Sequence, residues 1–506
     1  MTRPIRAGYE KLAAFLGRDM NLIHALALVG LILRLFVALK SEQIYHADEL
    51  FQYLEQAHRL VFGYGHITWE FRWGARSWIL PGFISSILFF CKALNLDTPT
   101  VYIPVVKVFF SVISISLIYS VYFATRRIAT PQAATLASLF ACFWYELIYF
   151  AARATPEVLA AYLIVGALAL VLADTDARRP LLFGLLCALA VALRLQYAIP
   201  VLALIAYAAY KWRAADLQRA ALSFLLVAVA AGYLDRLTWG KMFASYVNSF
   251  VFNVQYNISS LVFGISDPSF YPLALAIASS GLLLAGALAA IWKWRNTWLV
   301  LALVISTIAA HSLIPHKEYR FVFVVIPLLL ILLATALSPD FLATLSHRLR
   351  QGWRTSSILA FIGISMAGAA NALPFERFVY ANPVTARSEA LDAALVLSQE
   401  NDVQAVINIA SNWYEAGGYY YLHKHLPIYS RDFFEKGFID INKAASFASH
   451  VICPIDFPEL RGFAMIRRLK TIEIRTRVDP SAPLEKLKFD TMNILQEGID
   501  NRRWEK

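Results

Sequence analysis

Two clusters of ionisable residues, each beside a long apolar stretch, carry the chemistry open to this chain. The first is His46, Asp48 and Glu49, which begin a long polar connector over residues 40–100. A carboxylate there meets water and a membrane-borne substrate together, so it suits general-base work. The structural alternative is that Asp48 caps a helix starting near Glu49. The second cluster is His316-Lys317-Glu318-Tyr319-Arg320, wedged between two apolar runs. Lysine as a point charge and arginine as a fork can hold a phosphate at a lipid boundary. Snorkelling side chains that set helix depth are the plainer alternative. Arg153 and Arg194 stand alone at the ends of apolar runs, where charges anchor a helix or face a cavity. Tyr64, Trp69, Glu70, Phe71 and Trp73 set flat rings beside an acid, which suits a sugar and equally suits an interfacial aromatic belt. His58, His66 and His311 read as satisfied structural histidines.

The elements that must position these residues are membrane helices. The chain has 506 residues, of which 59% are apolar and only 16% charged. Its mean hydropathy is +0.55. Soluble domains carry closer to a quarter charged residues. Apolar runs at 21–39, 101–123, 132–150, 157–173, 181–193, 198–210, 217–235, 271–291, 297–314, 321–337 and 355–372 approach the ~20 residues needed to cross a ~30 Å core. The expected fold is therefore an all-α polytopic membrane protein of about 11 transmembrane helices. With the N-terminus in the cytoplasm, the short inner loops hold Arg126/Arg127, Arg178/Arg179, Lys211/Arg213, Lys293/Arg295 and Arg348/Arg350/Arg354. That is the positive-inside pattern. It requires residues 78–94 to lie in the outer leaflet rather than cross, and 181–193 and 198–210 to be two short helices meeting at Arg194–Tyr197. The large loops 40–100 and 236–270 then fall outside.

The expected domains are a membrane-embedded catalytic domain over 1–372 and a polar extracytoplasmic α/β domain over 373–506. Val403–Ile409 and His450–Ile455 read as strands and Glu389–Ser398 as a helix. The net charge of +11 lies mostly in short loops, so it points to anionic headgroups and not to nucleic acid. The basic N-terminus (Arg3, Arg6, Lys11, Arg18) followed by an apolar run reads as an uncleaved anchor. Cys91, Cys142, Cys187 and Cys453 show no metal-ligand or redox spacing.

The run HADELFQYLEQAHRLVFGYGHITWEF, followed by ARSWILPG, resembles the signature loop of glycosyltransferase family 22. These are polyprenyl- or dolichyl-phosphate-mannose-dependent α-mannosyltransferases of GPI-anchor and N-glycan assembly. The likeness recurs in order in FWYELIYFAARATPEVL, ALAVALRLQYAIPVL, LTWGKMFASYVNSFVFNVQYNISSLVFG and HSLIPHKEYRFVFVVIPLL, and more loosely in YYYLHKHLPIYSRDF. The resemblance implies a GT-C type helical bundle with an external active site. It implies inverting transfer of a hexose, mannose first, from a polyprenyl- or dolichyl-phosphate carrier to a glycan or glycolipid hydroxyl. Asp48 is then the expected base, with Glu49 orienting it or exchanging roles with it. Lys317, Arg320, Arg194 and His316 are expected to bind the donor phosphate, and Trp69, Glu70, Arg76 and His46 the sugar or acceptor. No cofactor or metal is demanded, because fixed cations can stabilise a phosphate leaving group. The expected setting is a bacterial cytoplasmic membrane or, alternatively, the endoplasmic reticulum membrane. The rival expectations are a transferase for another lipid-linked sugar, a lipid or solute transporter, and a structural subunit.

Overall fold

The computed structural model describes residues 19–174, 176–338, 347–370, 388–435, 437, 440–485 and 487. Arg3, Arg6, Lys11 and Arg18 lie outside the described residues, as do the side chains of Arg348, Arg350 and Arg354 and residues 373–387 and 488–506. The chain forms two compact units, one of residues 1–38 and 107–384, the other of residues 39–106 and 385–506. The polar first connector thus belongs to the same unit as the C-terminal segment, a grouping that composition does not reveal.

The first unit is helical. Four helices among the described residues are long and apolar enough to cross a bilayer: Met20–Lys40, Pro99–Ile128 (which runs in from the other unit), Ala214–Trp239 and Leu282–Ser312. Pro131–Phe143 and Tyr145–Ala152, bent by 56°, make a fifth if counted as one. These spans make the chain an integral membrane protein. The expected count of about eleven is not reached by this criterion, because several apolar runs fold as shorter or broken helices. The run expected at 271–291 divides into Phe270–Ala278 and Leu282–Ala290. The latter continues through Lys293 into Trp294–Ser312, so the basic pair expected in an inner loop sits within a helical run. The two short helices expected at 181–193 and 198–210 are found as Arg179–Leu193 and Ala198–Lys211, and they meet as expected at Arg194–Tyr197, through a 3-10 turn after an extended Arg194.

Broken helices release carbonyls that lipid cannot satisfy, and the chain supplies cations for them. Trp144 is extended (φ −65°, ψ 121°), which ends Pro131–Phe143. The wholly buried Arg34 donates to Ala141 O (2.9 Å) and Cys142 O (3.3 Å) at that end. Lys211 Nζ likewise reaches Val171, Leu172 and Ala173 O at 3.1, 2.9 and 3.0 Å, at the negative end of Pro156–Leu172. Val325–Ala336 is buried all round, as a bundle's central helix must be. It packs on Leu282–Ala290, where a Cβ at Gly286 would stand 2.8 Å from Leu333 Cδ1. Only a residue without a side chain allows that approach.

The second unit carries the first connector as helices over Glu49–Leu54, Glu55–Phe62, Trp69–Arg72 and Ile79–Ala93. The last has 15 residues, about 22 Å at 1.5 Å per residue and so short of a ~30 Å core. The C-terminal part opens with the helix Glu389–Gln399 and builds a five-stranded sheet. Its strands are β1 (Val406–Asn408), β2 (Ile428–Ser430), β3 (His450–Pro454), β4 (Phe463–Arg468) and β5 (Ile472–Arg477). Their order is β2-β1-β3-β5-β4, with β1 parallel to β2 and β3 and the rest antiparallel. Alternate residues feed two cores: Val406, Ile428, Ile452 and Ile474 on one face, Ile407, Tyr429, Val451 and Cys453 on the other. Burial on both faces explains why these parallel strands read as continuous apolar runs.

Candidate active site

In the second unit the acids sit where an irregular turn enters a helix. Asp48 has helical dihedrals (φ −62°, ψ −38°) and its side chain caps nothing, so capping does not account for its carboxylate. Its backbone N–H donates to His46 Nδ1 at 3.1 Å. That nitrogen must accept, which places the proton of a neutral His46 on Nε2. Asp48 Oδ1 lies 3.6 Å from His46 Nδ1, and the carboxylate is 22% exposed. Glu49 is buried, its Oε2 accepting the Tyr45 N–H at 3.2 Å. Of the pair, Asp48 is the one open to a substrate.

Gln52, one helical turn on and not singled out in the sequence, joins two residues that are. Its Nε2 donates to Glu70 Oε1 at 2.6 Å, and its Oε1 accepts from Arg76 Nε at 2.8 Å. Trp69 begins the same short helix as Glu70. Burial pushes the Glu70 carboxyl up to about 7, with Arg76 pulling down and the Asp48 charge pushing up. Glu55, also fully buried, is likewise pushed up to about 7 by burial, against the N–H groups of His66, Tyr420 and Tyr419 and the charge of Arg59. Both carboxyls hold a proton more firmly folded than unfolded. Their contribution to stability is present below pH ~4.5 and is lost as pH rises towards 7, on the order of 3 kcal/mol each. Glu70→Gln, which titrates nothing, is expected to flatten the fall of thermal stability between pH 5 and 8. An unchanged pH slope in calorimetry would refute the shift.

His58, expected to be structural, takes part in a buried aromatic cluster. Its Nδ1 meets Tyr64 O at 3.2 Å and its Nε2 meets His423 Nδ1 at 2.8 Å. A carbonyl only accepts, so His58 Nδ1 donates and its Nε2 accepts from His423. Burial, followed by the His423 charge, lowers the His58 pKa to about 3, in keeping with a neutral ring.

In the first unit the other cluster forms a charge network around Glu157, which is wholly buried. Arg194 Nη2 stands 2.5 Å from Glu157 Oε1, and Arg320 Nε 3.9 Å from the same oxygen. Arg320 also pairs with Glu318 Oε2 (Nη2 at 2.5 Å, Nε at 2.6 Å). His316 Nε2 lies 3.0 Å from Glu318 Oε1. Both guanidiniums flank the Phe321 ring, at 5.6 Å (Arg194) and 5.5 Å (Arg320). Arg194, Arg320 and His316 are thus brought together, and Glu157 is the residue that sequence reasoning passed over. Its signal was present in the ARATPEVL motif, where an acid follows a helix-starting proline. Lys317 goes elsewhere. Its Nζ donates to Ser266 O (2.9 Å), Ile314 O (2.7 Å) and Pro315 O (3.4 Å). Burial lowers its pKa, and the Asp267 charge opposes this. Among the described residues no group of three or more His, Cys, Asp or Glu is placed to hold a metal ion.

The sequence profile of the Alg9-like mannosyltransferase family matches residues 25–423. Its last matched residue is His423, the imidazole that meets His58. The chain is 28% identical over 356 residues to GPI mannosyltransferase 3 of Yarrowia lipolytica, covering 65% of this chain and 64% of that protein. It is 29% identical over 364 residues to GPI mannosyltransferase 3 of Trypanosoma brucei brucei, covering 60% and 63%. The chain thus spans just under two thirds of the length of these curated relatives. In fold it is similar to ArnT from Cupriavidus metallidurans bound to undecaprenyl phosphate, with a TM-score of 0.59 at 14% identity over 92% of this chain and 99% of that one. It is also similar to AglB from Archaeoglobus fulgidus in complex with an inhibitory peptide and a dolichol-phosphate. There the TM-score is 0.50 at 15% identity, over 87% and 69%. The architecture, mostly helical with a small C-terminal sheet, is similar to that of these two proteins.

Proposed function

Because the chain belongs to the Alg9-like mannosyltransferase family, we propose that it moves mannose from a polyprenyl-phosphate carrier to a hydroxyl of a glycan or glycolipid, with inversion. The observation that carries this is the family match itself, which runs through both the acid turn at 46–49 and the cationic turn at 316–320. The carrier class is supported by the undecaprenyl phosphate and dolichol-phosphate held by the two proteins of similar fold.

In this reading transfer is a single displacement. The acceptor oxygen bonds to the sugar's anomeric carbon as the bond from that carbon to the phosphate oxygen breaks. The hydroxyl proton passes to the Asp48 carboxylate, with Glu49 as the competing base. The lipid phosphate departs as an anion of low basicity, so it needs charge stabilisation rather than a proton. Arg194, Arg320, His316 and Lys317 supply that in this proposal. Glu157 and Glu318 hold the two guanidiniums in fixed places, and preorganised charge is what lowers a barrier most. Lys317 must exchange one of its carbonyl partners to reach a phosphate. His46, Trp69, Glu70 and Arg76 are assigned to the sugar or acceptor, with Gln52 aligning Glu70 and Arg76. A divalent ion is not required in this scheme, so turnover is expected to survive EDTA. The acids are placed on the extracytoplasmic face, of a bacterial cytoplasmic membrane or of the endoplasmic reticulum.

The test is purified protein assayed against a panel of polyprenyl-phosphate sugars, with product analysis. Transfer from the mannose donor is expected. Transfer only from a different sugar donor would change the substrate, and lipid or solute movement without transfer would overturn the enzyme.

A further inference from the structure

The acid turn does not hold itself in place. The segment that carries Asp48 and Glu49 is gripped on both sides by one short stretch of the C-terminal part, within the same compact unit. Upstream, Tyr421 Oη donates to Glu42 Oε1 at 2.6 Å, and the Ser388 N–H donates to Glu42 O at 2.6 Å. Downstream, Glu55 Oε2 accepts the Tyr420 N–H at 2.8 Å and Oε1 the Tyr419 N–H at 3.2 Å. Glu55 Oε1 also accepts the His66 N–H at 2.9 Å. The His58–His423 contact closes the same side. Between the two grips, the Trp413 ring packs on Phe51 with centroids 5.1 Å apart.

Several features make this more than packing. Glu55 is fully buried, and burying a carboxylate is costly where a leucine would fill the space at a gain. What the carboxylate adds is direction, because its N–H bonds fix both distance and register. Gly418 is shaped to the same end. It has φ +55°, and a Cβ there would lie 3.0 Å from Glu55 Oε2 and 3.2 Å from Phe51 Cε1. Tyr421 and Tyr420, 3% and 1% exposed, are buried together with the acids that they meet, Glu42 and Glu55 respectively.

We propose that Glu42 and Glu55 are positioning residues for the reaction, clamping the Asp48–Glu49 turn to the Gly418–His423 turn so that the reactive carboxylate keeps one place. This gives the C-terminal part a task in catalysis that does not require it to touch substrate. The role rests on the assignment of Asp48 and Glu49 as the reacting acids.

The test uses the full-length protein in lipid nanodiscs, with polyprenyl-phosphate mannose as donor and a glycolipid extract of the source membranes as acceptor. Tyr421→Phe, which removes one hydroxyl, and Glu55→Gln, which sets an N–H against an N–H, are compared with Glu55→Asp. Both are expected to lower kcat by about tenfold to a hundredfold, the cost of a small misplacement. Donor KM should stay within about twofold, because binding is not what they disturb. Amide hydrogen exchange across residues 42–58 should quicken by about tenfold as the clamp opens more often. Glu55→Asp should recover part of kcat. Wild-type kcat in Tyr421→Phe, or unchanged exchange, overturns the clamp. If Glu55→Gln does not fold, Tyr421→Phe decides alone. Asp48→Asn and Glu49→Gln run beside them separate the two claims. If both turn over normally, the acid assignment fails whatever Tyr421→Phe does; if one is dead while Tyr421→Phe is normal, only the clamp fails.

Discussion

Asp48→Asn is expected to lower kcat by about 10²–10⁴-fold, the range that general-base catalysis contributes. An amide keeps the shape of the side chain but has no lone pair basic enough to take the acceptor's proton. Asp48 is the better candidate of the two acids because it is partly exposed, whereas Glu49 is buried and accepts the Tyr45 N–H. Glu49→Gln keeps an oxygen for that N–H, so the turn should persist and the loss should be smaller. Initial rates with polyprenyl-phosphate mannose as donor decide this. The reverse order of effects would move the base to Glu49, and near-normal turnover in both would end the assignment.

The second large effect concerns Arg320 and Glu157. The charges of Arg194, Arg320, Glu157 and Glu318 sum to zero. Arg320→Met leaves one buried negative charge without its balance, and Glu157→Gln leaves one positive. Breaking a buried pair on one side costs about 3–5 kcal/mol, so each single variant should be markedly less stable. The double variant restores neutrality, and the two losses should fall short of adding, by about 0.5–3 kcal/mol. Turnover should behave otherwise. If Arg320 stabilises the departing phosphate, the double variant stays about 10²–10³-fold down even as its thermal stability recovers. Recovery of turnover together with stability would make Arg320 a structural cation only. Thermal unfolding and initial rates on the same four proteins are sufficient.

These predictions draw on different layers of information. The acids at 48–49 stand out in the sequence because a long polar connector beside an apolar run is rare and has few structural excuses. Glu157 does not stand out, since an acid just after Thr155-Pro156 also reads as an ordinary helix start. Only when the chain folds does it prove to lie between Arg194 and Arg320, 37 and 163 positions away along the chain. Lys317 shows the converse. Its neighbours in sequence suggest a phosphate cluster with Arg320, yet its ammonium turns to the carbonyls of Ser266, Ile314 and Pro315. The number of long unbroken spans among the described residues falls below the expected helix count for a related reason. Apolarity marks what can enter lipid, but where a helix breaks, as at Trp144, depends on a partner such as Arg34 to cap the freed carbonyls.

Read alone, the amino-acid order determined that the chain enters a membrane, that it carries paired acids and a cationic turn at polar boundaries, and that its tail holds short strands. Those properties are local: hydropathy, charge and periodicity are written in neighbouring residues. The tertiary structure decided which charge meets which, that the first connector and the tail form one compact unit, and that Glu42 and Glu55 bracket the acid turn. Such pairings depend on residues hundreds of positions apart, and burial in a low-dielectric interior gives each of them weight that sequence distance does not show.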